Sequence, residues 1–545
     1  MERLMGLENE YAFHVAGPRG GAVNRMRALQ DLNAIAREEL SCLPCLNGSG
    51  IFLANGGRLY LDTGEHQEWC TPESTNPWDV VRYLAAGEQI LLGLAAKLVQ
   101  KRNLGSATFH KINVDYSGSQ STWGGHESYM HRADPTVLPQ DLIPFLVSRV
   151  IITGAGGFDP TKSASCRFTL SPRASYITTS VSSNSTGSRG IYHTKDEPLC
   201  SGGFHRLHVL VAESLNSQTA NWLKFATTAL VVAMAEAGLK PGTGVALKSP
   251  VDALRTFASD PTCKITAAAA AGGRLTAIEI QQHYLDLARA NANAPFMPSW
   301  AARAIAEWDA ILARLHNAPL GVATCLDWAI KRSIYQARIE KKGFTWTLLD
   351  HWNNLMELLH VSADLATNEE PTSSLTAEVL LDPRGPFKDI VCELGSQLAK
   401  RGMNWNQLDR FLKLRLELFE IDTRFGELGP NGIFNTLDRA GVLRHHFTGI
   451  DNIPHAVISP PAIGRAKVRG DAIERLHANP NRFACDWSVI VDGESKVALD
   501  LRDPWACNEQ WVAEVPMTEE RLQFMPWRQR RRVGVPPGGP SEAQP

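Results

Sequence analysis

An α+β fold is predicted by two features of this 545-residue chain: short strand-like segments with polar alternation, and long helical segments lying among them. The pattern suggests an antiparallel or mixed sheet with helices on one side. A third feature sets the background. Hydrophobic residues make up 44% and charged residues 21%, close to the soluble globular average, which excludes wholesale disorder.

The elements follow in order. Gly6 to Phe13 reads as a strand, and Asn24 to Leu40 as a helix. Ile51 to Leu61 is the next strand. Asn76 followed by Pro77 is an N-cap with proline at the first helical position, leading into the apolar-periodic run Val80 to Val99. Strands are expected again at Thr108 to Val114, Tyr176 to Val181 and His205 to Val211. Ser217 to Ala237, stopped by Gly238, is a helix apolar enough to be buried. Thr276 to Ala292 is another, with Ile278, Ile280, Tyr284, Leu285 and Leu287 marking its packed side. Ser299 to His360 reads as further helices, one of them containing Asp327 to Arg332. Asp364 to Gly385 looks like an inserted loop, and the last thirty or so residues form a basic, Pro/Gly-rich tail.

Several functional classes are disfavoured at this level. Fifty-five Lys+Arg against 57 Asp+Glu give a net charge of -2, without the basic excess of a dedicated nucleic-acid binder. The N-terminus lacks signal-peptide character, and the greasy run Ala229 to Ala235 is too short to span a bilayer, so a cytoplasmic protein without membrane contact is expected. Ten scattered cysteines include one C-x-x-C pair, Cys42 and Cys45, with no second pair to complete a zinc set. Gly242 to Ser249 resembles a phosphate loop but has Leu247 where glycine is required before the lysine, and Gly154 to Asp159 begins like a dinucleotide fingerprint and ends wrongly. Both read as turns.

What remains is a concentration of oxygen ligands on short strands. Glu8 and Glu10 are two apart, so on a strand both carboxylates face one way. Arg58, Tyr60 and Asp62 alternate in the same manner, with Leu59 and Leu61 on the opposite face, and Glu65, His66 and Glu68 follow directly. His126 and Glu127 come after the glycine-rich Ser117 to Gly125 segment, and His208 sits on the Arg206 to Val211 strand. If these strands are neighbours, one sheet face carries many acids with arginine and histidine at its margin. Such a face calls for a hard divalent cation. Mg2+ takes oxygen ligands and usually keeps substrate phosphates and water, so a metal–nucleotide site is the physical reading.

The same segments carry a resemblance. Gly6 to Tyr11, Asn55 to Asp62, His66 to Glu68, Gly125 to Tyr129, Pro144 to Arg149, Thr194 to Pro198, Arg206 to Val209 and the Pro460 to Gly470 stretch look like the ordered motifs of the Pup ligase and depupylase family. These enzymes are related to glutamine synthetase and other carboxylate–amine ligases. The resemblance implies a glutamine-synthetase-like catalytic domain over residues 1–430, a small C-terminal domain over 431–514 and the tail at 515–545. By position it implies Glu8, Tyr60 and Glu68 as Mg2+ ligands, with Glu10, His126 and His208 in the same cluster. Arg58, Thr71 and Trp487 match ATP-contacting positions, and Asp62 matches the catalytic aspartate.

The implied activity is an ATP-dependent ligase joining the C-terminal glutamate of a Pup-like modifier to substrate lysines through a glutamyl phosphate, in a proteasome-linked pathway. ATP activates the carboxylate, and the lysine amine, protonated at neutral pH, must lose a proton before attack. The family also contains enzymes that hydrolyse the same bond. The short Tyr11 to Arg58 segment matches the ligases, whereas Thr71 to Pro77 reads more like the depupylases. A small-molecule glutamate–amine ligase and a catalytically silent binding partner are further alternatives. Ala12, Gln67 and Ile112 depart from the family pattern without removing an implied ligand.

Overall fold

A ten-stranded mixed sheet organises the computed structural model, which describes residues 2–46, 50–62, 64–117, 119–162, 165–184, 187–367, 384–385, 388–495 and 497–513. Its strands are β1 (Met5–Ala16), β2 (Cys42–Pro44), β3 (Ile51–Leu53), β4 (Arg58–Leu61), β5 (Gln67–Cys70), β6 (Ser106–His110), β7 (Gly125–His131), β8 (Thr179–Ser182), β9 (Gly190–His193) and β10 (His205–Val209). They lie in the order β8-β9-β10-β7-β1-β5-β4-β3-β2, with β6 paired to the far half of β1. Only the β8–β9 pairing is parallel among the described strands.

The sequence periodicity explains the layering. On β1, Leu7, Tyr11 and Phe13 are buried among helices, while Glu8 and Glu10 alternate onto the other face. Helix α1 (Arg25–Glu39) and helix α2 (Pro77–Arg102) pack with Tyr11, Phe13, Leu59 and Trp69. Asn24 and Asn76 cap them through their side-chain oxygens, 2.9 Å from the amides of Arg27 and Asp79 respectively. Helices Leu138–Ser148, Gln218–Glu236, Ala277–Ala290 and Ala301–Asn317 cover the β7–β10 end. Ser217 caps the second of these, and Thr276 with Glu279 forms a capping box on the third.

Three strand expectations need correction. Ile51 to Leu61 is a hairpin rather than one strand, because Gly56 takes φ +83° and Asn55 Oδ1 accepts from the Gly57 amide at 3.0 Å, closing a tight turn. The expected Thr108 to Val114 strand ends at His110, and Tyr176 to Val181 begins only at Thr179, after a 3-10 turn over Pro172–Tyr176. Of the 364–385 insertion, residues 364–367 end the Trp346–Thr367 helix. Residues 368–383 and the 515–545 tail lie outside the described residues.

Near the C-terminus, helix Arg465–Leu476 and a four-stranded antiparallel sheet (Phe483–Cys485, Val489–Asp492, Ala498–Asp500, Trp511–Val512) pack on Leu43, Phe52 and Ala54. Phe52 is opposite Arg58 in the β3–β4 register, so this small sheet sits on the acid-bearing face. Just before it, Phe434 and Leu443 share a cluster with Ile330 and Phe425, so packing crosses residue 430. Among the described residues, no helix is long and apolar enough to cross a membrane.

Candidate active site

Strand register assembles the site. Across one face run Arg58 and Tyr60 on β4, Cys70 and Glu68 on β5, Glu8 and Glu10 on β1, His126 on β7, His208 on β10 and His193 on β9. Glu68 is the partner of both Tyr60 and Glu10, while Glu8 is the partner of both Cys70 and His126. The segments that alternation marked as one-sided acids are thus neighbours on one face.

Two clusters form around the β1 carboxylates. Glu8 Oε1 accepts from Arg206 Nη2 at 2.9 Å, and its Oε2 lies 3.2 Å from His208 Nε2 and 4.0 Å from His126 Nδ1. Burial opposes ionisation of Glu8, but His208 and Arg206 outweigh it and hold the carboxyl well below the usual range. Burial lowers the pKa values of both imidazoles, helped by Arg173 at His126 and by Arg206 at His208, while Glu8 works against it at each. Neutral imidazole is the metal-binding form.

The second cluster joins Glu10, Asp62 and His66, whose ligand atoms lie within 4.8 Å of one another. Asp62 Oδ1 accepts from the His66 amide at 2.6 Å, and its Oδ2 is 3.5 Å from His66 Nδ1. Burial would lower His66, yet Asp62 and Glu10 raise it to about 9. The same contacts hold Asp62 below its ordinary value against the cost of burial. Glu10 also accepts from the Gly124 amide at 2.6 Å, and the Trp123 ring lies 5.0 Å from that of His66.

Between the clusters lies Glu68, 3% exposed. Burial, then Glu8 and Glu10, push its carboxyl far above the ordinary value. A buried carboxylate that protein cations leave uncompensated, beside further oxygen donors, fits a hard divalent ion. Tyr60 adds its hydroxyl, raised by burial and by Cys70 and Glu68 next to it.

A cleft of about 740 Å³ adjoins this face. Glu8, Cys70, Thr71, Glu73, Arg206, Arg465 and Trp487 are among its lining residues. Thr71 Oγ1 accepts from the Leu7 amide at 3.0 Å, and Trp487 meets Phe52 edge-on with ring centroids 5.0 Å apart. Of the three expected nucleotide contacts, Thr71 and Trp487 line the cleft. Arg58 lies beside it on the acidic face, its guanidinium 4.0 Å from the Tyr60 ring centroid.

A comparison that spans most of the chain decides the family. The Pup-ligase protein family model matches residues 3–369 and 394–491. The chain belongs to the Pup-ligase family. It is 36% identical over 523 residues to a Pup–protein ligase of Sanguibacter keddieii, spanning 94% of this chain and 98% of that one. Its match to a Pup deamidase/depupylase of Mycolicibacterium smegmatis is 33% over 306 residues, 55% of this chain and 60% of that one. Two solved structures of the Pup ligase PafA share the fold. The complex with Pup has a TM-score of 0.68 at 23% identity, covering 96% of this chain and 92% of its own. The complex with ADP has a TM-score of 0.62 at 22% identity, covering 90% and 93%.

Other flagged residues lie apart. Glu127 turns to the opposite face, where Arg149 binds both its carboxylate oxygens at 2.6 and 2.9 Å. Glu65, at φ +61°, pairs with exposed Arg25. Cys42 and Cys45 are buried thiols outside both clusters. Sequence reasoning missed Arg206, although it shares a face with His208 two residues on. It also missed Glu73, which contacts Arg465 at 2.7 Å and pairs with fully buried Arg469 from the C-terminal helix. Pairs separated by nearly 400 positions leave no local signal.

Proposed function

We propose that this chain is an ATP-dependent ligase that forms an isopeptide bond between the C-terminal glutamate of a Pup-like modifier and lysines of target proteins. The observation that carries the reading is buried Glu68, flanked by Glu8, Glu10 and Tyr60, on a face that opens into a cleft lined by Thr71 and Trp487. In this reading, Glu8, Glu10, Tyr60, Glu68, His126 and His208 hold Mg2+, and Arg58, Thr71 and Trp487 contact ATP. When bound, the cation neutralises phosphate charge.

The chain's own groups do the rest. The modifier's carboxylate attacks the γ-phosphorus, ADP leaves, and the resulting glutamyl phosphate is attacked by a lysine amine with loss of phosphate. Asp62 accepts the amine's proton. Its lowered pKa keeps it ionised at neutral pH, and the His66 amide fixes one of its oxygens. Trp487 and Arg465 wall the cleft from the C-terminal side, limiting the water that would hydrolyse an acyl phosphate.

The near-complete alignment with a ligase, against 55% of the chain with a depupylase, supports the forward direction. The short segment between Tyr11 and Arg58 supports it too. The same reading includes a catalytic unit over 1–430, a smaller unit over 431–514, a cytoplasmic location and a proteasome-linked pathway. Incubation with ATP, Mg2+, a Glu-ending Pup-like modifier and a lysine-bearing protein tests it, beside a preformed conjugate. New conjugate that requires ATP supports the ligase. Loss of the preformed conjugate alone assigns the depupylase instead.

A further inference from the structure

A second cleft, of about 630 Å³, shares no lining residue with the one beside the acidic face and carries the opposite charge. One wall is the helix Ala301–Asn317, where Arg303, Glu307 and Arg314 are spaced by four and seven residues and fall on a single side. Another wall is the irregular segment 443–448. Leu443, His445 and Phe447 are buried there, while Arg444, His446 and Thr448 alternate with them, exposed, along the cleft. Three guanidiniums thus meet one carboxylate in the lining, although the whole chain carries a net charge of -2.

That carboxylate answers one of the three. Glu307 pairs with Arg303 at 2.9 Å, and the Arg303 guanidinium also lies 5.2 Å from the Phe447 ring centroid. Arg314 donates to the Gly321 carbonyl at 2.7 Å and to Cys325 Sγ at 3.5 Å, neither of them an acid. Arg444 has no side-chain hydrogen bond or ion pair among the described residues. The neighbouring Asp438 is engaged by His446 at 3.0 Å and His445 at 3.1 Å. Guanidinium forks match the oxygens of phosphates and carboxylates, and a cleft lined by one sign of charge concentrates counter-ions. Its volume suits a small molecule. We infer that this cleft binds a small polyvalent oxyanion, a phosphate or carboxylate compound, with Arg444 and Arg314 as its charged contacts. The inference stands independently of the ligase reading.

Titration calorimetry of the full chain, freed of divalent cations, tests this with tripolyphosphate and, separately, with citrate. At least one of the two anions is expected to bind once per chain. Arg444→Ala should weaken that binding at least about tenfold, and Arg444→Glu should abolish it. Arg444 is exposed, so neither change disturbs the core. Arg314→Ala should weaken the same anion from the other wall. Binding of tripolyphosphate alone assigns phosphate compounds, and binding of citrate alone assigns carboxylates; both results support the site. Binding undiminished by Arg444→Ala and by Arg314→Ala lies elsewhere on the chain and would overturn the inference. So would the absence of binding by either anion. A polyglutamate peptide that binds where neither small anion does would also overturn it, and would give the cleft to acidic protein segments instead.

Discussion

Glu10 and Glu68 face each other directly across β1 and β5, with both carboxylates on the same side of the sheet. Like charges directly opposite destabilise an antiparallel pair. In the proposed reading, a cation held by this face would relieve that penalty and link folding to cation binding.

Divalent cation is therefore expected to raise the melting temperature. Mg2+ at about 100 times its dissociation constant should add roughly 2.7 kcal/mol. Glu68→Gln should melt higher than the wild type without cation and lose most of the Mg2+ response. Calorimetric melts with chelator and with Mg2+ check both. A wild-type melt indifferent to cations would remove the linkage.

Asp62 is expected to act on the amine rather than on the nucleotide. Asp62→Asn should lower turnover by about 10²- to 10⁴-fold while ADP affinity, read by titration calorimetry, stays unchanged. Unaltered kcat would remove Asp62 from the proton transfer.

Glu73 ties the large sheet to the C-terminal helix through Arg465 and Arg469, and this contact has a pH signature. Burial opposes ionisation, but Arg469 and Arg465 bring the carboxyl down from 4.5 to about 2. A depressed carboxyl stabilises the folded state fully above its unfolded pKa and loses that contribution as pH falls through the folded value. About 3 kcal/mol should thus disappear between pH 4.5 and about 2. Glu73→Gln should lack this part of the acid slope and lose about 3–5 kcal/mol at neutral pH, because Arg469 is left buried and unpaired. Urea unfolding on both sides of the window measures each term.

Trp69 lies beneath the site, fully buried, with its indole N–H donating to Tyr83 O at 3.0 Å. A Cβ at Gly87 would fall 2.2 Å from its Nε1, and one at Gly57 would fall 2.4 Å from the ring. Gly87→Ala should therefore cost about 1–3 kcal/mol through overpacking, despite alanine's better helix propensity. A gain in chemical-denaturation stability would contradict this contact.

Much of the fold was legible because its signals are local. Asn76-Pro77 announces a helix start, apolar periodicity marks the helices beginning at Ser217 and Thr276, and alternation at Glu8 and Glu10 announces a shared face. The hairpin inside Ile51 to Leu61 was hidden because the apolar pattern resumes at Leu59 after the turn. At the site, alternation indicated which side chains share a face, but strand order came only with the register. Cys70, Arg206 and Arg469 gain their meaning from partners on other strands or on a distant helix. No window of sequence contains those contacts.

The most direct test of the ligase chemistry follows oxygen atoms. A modifier whose terminal glutamate carboxylates carry oxygen-18 is conjugated with ATP, Mg2+ and a lysine-bearing protein, and the released phosphate is analysed by mass spectrometry. Formation of a glutamyl phosphate transfers one labelled oxygen to phosphate for each isopeptide bond, and that is the expected result. Conjugate formed with unlabelled phosphate, or ATP left intact while conjugate accumulates, would contradict it.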